Sequence, residues 1–102
     1  MNKSEILDYL KDIKPTLEQK GVEKLGLFGS FAKDSQNEFS DIDIAFKLKS
    51  DFLKTYDVWR YFDLTKDIKE LVSSKFHKKS DIFDLDSASD LREIIFKEVI
   101  YV

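Results

Sequence analysis

With 102 residues, 42% of them hydrophobic and 36% charged, the chain has the composition of one globular domain over residues 1–102, and not that of a disordered or fibrous protein. Its 17 basic residues are interleaved with 20 acidic ones for a net charge of -3, so direct nucleic-acid binding is not expected. The lack of cysteine excludes disulfides, thiolate metal sites and a thiol nucleophile, and the single histidine, His77, excludes most histidine-based zinc sites.

No segment approaches the length of a membrane span and the first residues carry no apolar signal run, so no membrane association and a cytoplasmic location are expected. Ile6, Leu7, Leu10, Ile13 and Leu17 recur at helical spacing, with Asn2 or Ser4 placed to cap the start. Pro15 is expected to kink or split that helix, and Gly21 to stop its second piece. Val22 to Phe28 then reads as a strand running into Gly29 and Ser30.

Residues 34–40 are polar and turn-forming, and Asp41 to Leu48 alternates as a second strand. In a strand, residues i and i+2 share a face, so Asp41 and Asp43 point one way and Ile42 and Ile44 the other. Thr55 to about Lys75 reads as a long amphipathic helix with Val58, Trp59, Phe62, Ile68, Leu71 and Val72 on its apolar positions. Trp59, Tyr61 and Phe62 are expected in the core. Ser80 to Leu85 reads as a third strand, Ser87 or Ser89 as the cap of a last helix carrying Leu91, Ile94 and Ile95, and Val99 to Val102 as a short strand or docked tail. His77, inside the basic run Lys75 to Lys79, is read as a surface residue.

The stretch from Gly29 to Ile44, GSFAKDSQNEFSDIDI, carries the chemistry. Gly29 has no side chain to obstruct a triphosphate, Ser30 adds a hydroxyl donor, and amides at a following helix start can donate to phosphate oxygens. Two carboxylates on one strand face suit a hard cation such as Mg²⁺, which binds through one or two carboxylates plus substrate phosphates. If a third carboxylate joins them, three like-charge pairs at about 4 Å cost roughly 12 kcal/mol at an effective dielectric of about 20, comparable with the whole stability of a small domain. Bound cations or proton uptake must offset that repulsion.

Gly-Ser, ten intervening residues and Asp-x-Asp resemble the signature of the minimal nucleotidyltransferase (MNT) domains of the DNA polymerase beta superfamily. LFGSFAK at 27–33 and SDIDI at 40–44 are similar to that family as well. The resemblance implies an α/β (α+β) nucleotidyltransferase fold, a small mixed β-sheet flanked by helices. It also implies that Asp41, Asp43 and Asp81 act as catalytic, metal-holding carboxylates for two Mg²⁺ ions, with ATP bound along Gly29 and Ser30. Asp81 matches the family's third carboxylate by strand pattern, while Asp84 and Asp86 form a second Asp-x-Asp beside it. Lys33-Asp34 departs from the family's frequent Arg-Gly, and Asp34 suits a left-handed turn.

By size and motif the chain is most similar to MNT antitoxins paired with HEPN toxins. That likeness implies transfer of AMP to a tyrosine of a HEPN ribonuclease. A domain too small to enclose its acceptor fits this, since the acceptor then comes from a partner or from a second copy in a homo- or hetero-oligomer. Two alternatives stand beside it: an antitoxin acting by binding alone, and a small-molecule nucleotidyltransferase of the aminoglycoside-modifying kind.

Overall fold

The structure, a computed structural model, describes residues 1–87 and 89–102. The chain runs α1 (Lys3–Gln19), β1 (Val22–Phe28), α2 (Gly29–Ala32), β2 (Ile42–Leu48), α3 (Phe52–Thr55), α4 (Val58–Phe76), β3 (Ser80–Asp84), α5 (Arg92–Glu98) and β4 (Ile100–Tyr101). The strands form one four-stranded mixed sheet in the order β3-β2-β1-β4. β1 pairs antiparallel with β2 and β4, and β2 pairs parallel with β3. A parallel pair needs a crossover, and α4 supplies it.

The period-2 pattern of β2 divides the molecule. Ile42, Ile44, Phe46 and Leu48 are buried with Ile6, Leu10 and Leu17 of α1 and Leu64, Ile68 and Val72 of α4, so one face of the sheet carries the main core. On the other face Ala45 meets Leu85 and Ile95 in a much smaller cluster. Asp41 and Asp43 occupy that thinly covered face, both half-buried.

Asn2 caps α1, its side chain accepting from the Glu5 amide at 2.9 Å. Pro15 neither kinks nor splits the helix, which runs unbroken to Gln19. Proline costs its helix one hydrogen bond to the carbonyl four residues back. Here Pro15 and Lys11 both sit on the exposed side, where water can take that carbonyl, while Leu10 and Leu17 on either side stay buried. Gly21 ends the helix with φ +110°.

The expected core role is overturned for two of the three α4 aromatics: Trp59 is 73% and Phe62 55% exposed, with Val58 and Leu71 exposed too, while Tyr61 is half-buried and packs against the main core. At 100° per residue, Trp59 lies about 180° and Phe62 about 120° around the helix from buried Ile68, so neither can share its stripe. The last helix starts without a serine side-chain cap, at Leu91, whose amide donates to Ser89 Oγ at 3.2 Å. Leu91 and Ile94 are exposed and Ile95 alone of that trio is buried. No described helix is long and apolar enough to cross a membrane.

Candidate active site

The Gly29-Ser30 turn sits where β1 ends. Phe28 is extended, and Gly29 adopts φ +75°, a left-handed conformation that disfavours any side chain. A Cβ on Gly29 would overlap Asp43 Oδ2 and come within 2.9 Å of Asp43 Cγ and 3.1 Å of its Cβ. Backbone and carboxylate are therefore in direct contact, because Phe28 pairs with Asp43 across the antiparallel β1–β2 ladder. The first amides of a helix have no partner within it, and those of α2 follow immediately on Gly29. Asp34, at φ +56°, turns the chain out of α2.

Asp81 stands directly opposite Asp43 in the parallel β2–β3 register, and paired residues project to the same side of a sheet. Asp81 is exposed. Its strand is clamped to α4 by its neighbour Ser80, fully buried, which lies 2.6 Å from Ser73 Oγ and donates to the Lys69 carbonyl at 3.1 Å. Asp84 and Asp86 are engaged elsewhere: Tyr61 Oη donates to Asp84 Oδ2 at 2.7 Å on the α4 side, and Lys47 Nζ donates to Asp86 Oδ1 at 2.8 Å. The Tyr61 phenol is raised well above its ordinary pKa by burial and by that bond. Tyr61→Phe is expected to cost about 1.5 kcal/mol in urea unfolding, the low end for a bond to a charged group, because the pair is only partly buried, without lowering transfer.

Charge gathers on Asp43. Its pKa is raised to about 6 by burial first, then by Asp81, Asp41 and Glu98, against a lowering by Lys33. Lys33 Nζ in turn lies 3.2 Å from Glu98 Oε1, an ion pair joining the end of α2 to α5 beside the carboxylates. Among the described residues no three acidic or histidine side chains close around a single point, so a cation here would take part of its shell from substrate. A cavity of about 520 Å³ between α1 and α4 is lined by none of the three aspartates and lies apart from this chemistry.

A family profile described as "Polymerase beta, Nucleotidyltransferase" matches residues 11–102. The chain belongs to the polymerase beta nucleotidyltransferase family. It is 37% identical over 73 residues, 71% of this chain and 70% of the relative, to the "Putative protein adenylyltransferase" of Methanocaldococcus jannaschii. A solved toxin-antitoxin structure with AMP-PNP superposes at a TM-score of 0.61 and 26% identity, covering 99% of this chain and 72% of that one. A chain of the tri-AMPylated Shewanella oneidensis HEPN toxin in complex with MNT antitoxin superposes at 0.53 and 25% identity, covering 98% and 67%. A "putative minimal nucleotidyltransferase" shares the fold at 0.69 and 20% identity, covering 98% and 95%.

The protein is thus a nucleotidyltransferase, and its fold is the small mixed sheet of that family. Within this nucleotidyltransferase, Ser80 and Glu98 receive no role from the sequence, and Tyr61 is expected there only as a core residue and not as the partner of Asp84. Ser80 precedes an aspartate in a strand of period 2, which is the one signal that it faces the helix. Glu98 and Tyr61 carry no such signal, because their partners Lys33 and Asp84 lie 65 and 23 residues away.

Proposed function

We propose that this nucleotidyltransferase transfers AMP from ATP to a tyrosine hydroxyl of a HEPN toxin and so acts, in the cytoplasm, as its antitoxin. One observation carries the reading: Gly29 lies against Asp43, and Asp43 lies opposite Asp81, so the Gly-Ser turn and two carboxylates share one face of the sheet. The AMP-PNP bound in one relative and the AMPylated HEPN toxin in another support the donor and the acceptor.

The residues fit Mg²⁺. All donors are oxygens, the acidic neighbours of Asp43 outnumber its one nearby lysine, and the missing Cβ of Gly29 lets the Asp43 carboxylate lie against the backbone of the turn. Asp41, Asp43 and Asp81 would hold two ions, which when bound supply charge neutralisation at the attacking and leaving oxygens. The chain itself positions. Gly29 and Ser30 align the triphosphate, β2 and β3 hold Asp43 and Asp81 side by side, and exposed Asp81 faces the acceptor. The acceptor oxygen forms its bond to the α-phosphorus as the bond to the β-phosphate oxygen breaks. Pyrophosphate departs with that electron pair, and the hydroxyl proton passes to solvent beside Asp81.

The test is label transfer from α-³²P-ATP with Mg²⁺ to the cognate HEPN protein. Asp41→Asn is expected to lower transfer at least about 100-fold, since metal-held charge contributes several kcal/mol to such barriers, and to abolish protection of cells from the toxin. Protection that survives Asp41→Asn intact would mean neutralisation by binding alone.

A further inference from the structure

β3 is the edge of the sheet, and none of the described strands pairs with its outer side. Lys79 and Leu85 make the bonds to β2 at either end of the strand, at 3.0 Å from Ile42 N to the Lys79 carbonyl and 2.9 Å from Leu85 N to the Phe46 carbonyl. In a parallel ladder the residues that bond one neighbour alternate with those that do not, so Asp81 and Phe83 face β2 and the amide and carbonyl of Ile82 face outward. Such an unpaired edge is a template for another strand.

Along this edge runs a groove of about 400 Å³ lined by Thr65, Lys66, Lys69, Asp81 and Ile82. Two of its five lining residues are lysines of α4 and one is the candidate site carboxylate, in a chain whose net charge is -3. Among the described residues, Lys66 has only a solvent-exposed contact with Glu70 at 3.9 Å, and exposed pairs of that kind hold weakly. Trp59, Phe62, Lys66 and Lys69 follow at spacings of three, four and three along one face of α4. The aromatic end of this face is exposed and the basic end lies nearest Ser80 and Asp81.

We propose that this edge receives the acceptor as an added β-strand: an extended segment of the partner protein that pairs with β3 and carries acidic residues immediately before and after its acceptor hydroxyl residue. The proposal rests on the protein-acceptor reading above. Alternation in the added strand sets the pattern. The residue beside Asp81 projects to Asp81's side of the sheet, toward the candidate site, while its two sequence neighbours project to the α4 side beneath Lys66 and Lys69. Acidic residues two positions away would instead project to the side of Asp81 and Asp43, where like charge repels them. The edge thus supplies affinity through the backbone of Ile82, and the lysines supply parity-dependent selection.

The experiment uses the full chain, α-³²P-ATP, Mg²⁺ and four otherwise identical tyrosine peptides: glutamate on both sides of the tyrosine, lysine on both sides, alanine on both sides, and glutamate two positions away on both sides. The adjacent-glutamate peptide is expected to label about tenfold faster than the lysine peptide and faster than the shifted-glutamate one, the scale of two exposed charge contacts reversed. Lys66→Glu/Lys69→Glu, both surface changes, is expected to reverse the order, while Ile82→Pro lowers labelling of every peptide.

Equal labelling of all four peptides overturns the groove proposal and leaves protein adenylylation standing. An unchanged order in the double lysine variant overturns it equally. Labelling of the cognate HEPN protein but of no peptide overturns the groove proposal alone, whereas labelling of an added RNA 3′-hydroxyl in preference to every peptide and to the HEPN protein overturns both together.

Discussion

Gly29→Ala is expected to lower transfer about 100-fold or more while leaving a folded protein that is less stable by about 1–2 kcal/mol. Two costs combine in this one methyl group. The first is conformational: Gly29 sits at φ +75°, where a Cβ crowds its own carbonyl. The second is contact: the new carbon overlaps Asp43 Oδ2 and lies 3.1 Å from Asp43 Cβ, so rotating the carboxylate away cannot clear it. The β1–β2 pairing at Phe28 and Asp43 must therefore open slightly, or Asp43 must leave the position it shares with Asp81.

Misplacement of about 1 Å in a positioned reacting group can cost a hundredfold. The thermal midpoint should drop by about 5–10 °C for a domain of this size. A double variant separates the two costs: Gly29→Ala in an Asp43→Gly background, which removes the Asp43 Cβ as well as its carboxylate, should lose only the conformational part of the stability, and the shortfall from additivity measures the contact. Full additivity in that cycle would mean that Gly29 and Asp43 do not touch.

Much of this site is legible in the order of residues, and for a physical reason. The Gly-Ser turn, the alternation of β2 and the strand-start aspartate of β3 are local patterns, each set by a few consecutive residues. The pairing of Asp43 with Asp81, rather than with Asp84, follows once β2 and β3 are parallel and adjacent, and strand order is a property of the whole chain. Trp59 and Phe62 were misread because helical spacing among apolar residues does not say which of two candidate stripes meets the sheet. Leu64, Ile68 and Val72 make the tighter stripe and win it. Pro15 was misread because its penalty is local while the packing of Leu10 and Leu17 on the sheet is not.

Asp43→Asn is expected to move stability and activity in opposite directions. The folded carboxyl titrates at about 6, against 3.8 when unperturbed, so the folded state holds this proton more tightly than the unfolded chain does. Its contribution to stability is fully present below pH 3.8 and is lost as pH rises through 6, leaving at neutral pH a penalty for holding Asp43 ionised in a half-buried position and beside Asp81, Asp41 and Glu98. Because the group is half-exposed, that penalty is taken as about 1 kcal/mol after allowing for solvent screening.

Asparagine removes the charge and keeps the shape. The variant's thermal midpoint should exceed the wild type's by about 4 °C at pH 7.5, with the gain shrinking from pH 6 downward and vanishing below about pH 4. Millimolar Mg²⁺ should raise the wild-type midpoint at pH 7.5 and do much less for the variant, since the cation and the amide relieve the same repulsion. Transfer falls at least about 100-fold in the same variant, because the charge that strains the empty site is the charge that the metal-bound triphosphate requires. Equal midpoints for the two proteins across pH 4–8 would show that neither burial nor the neighbouring carboxylates penalise the ionised Asp43 in the folded chain, and with that the case for a cation between Asp43 and Asp81 would lose its electrostatic ground.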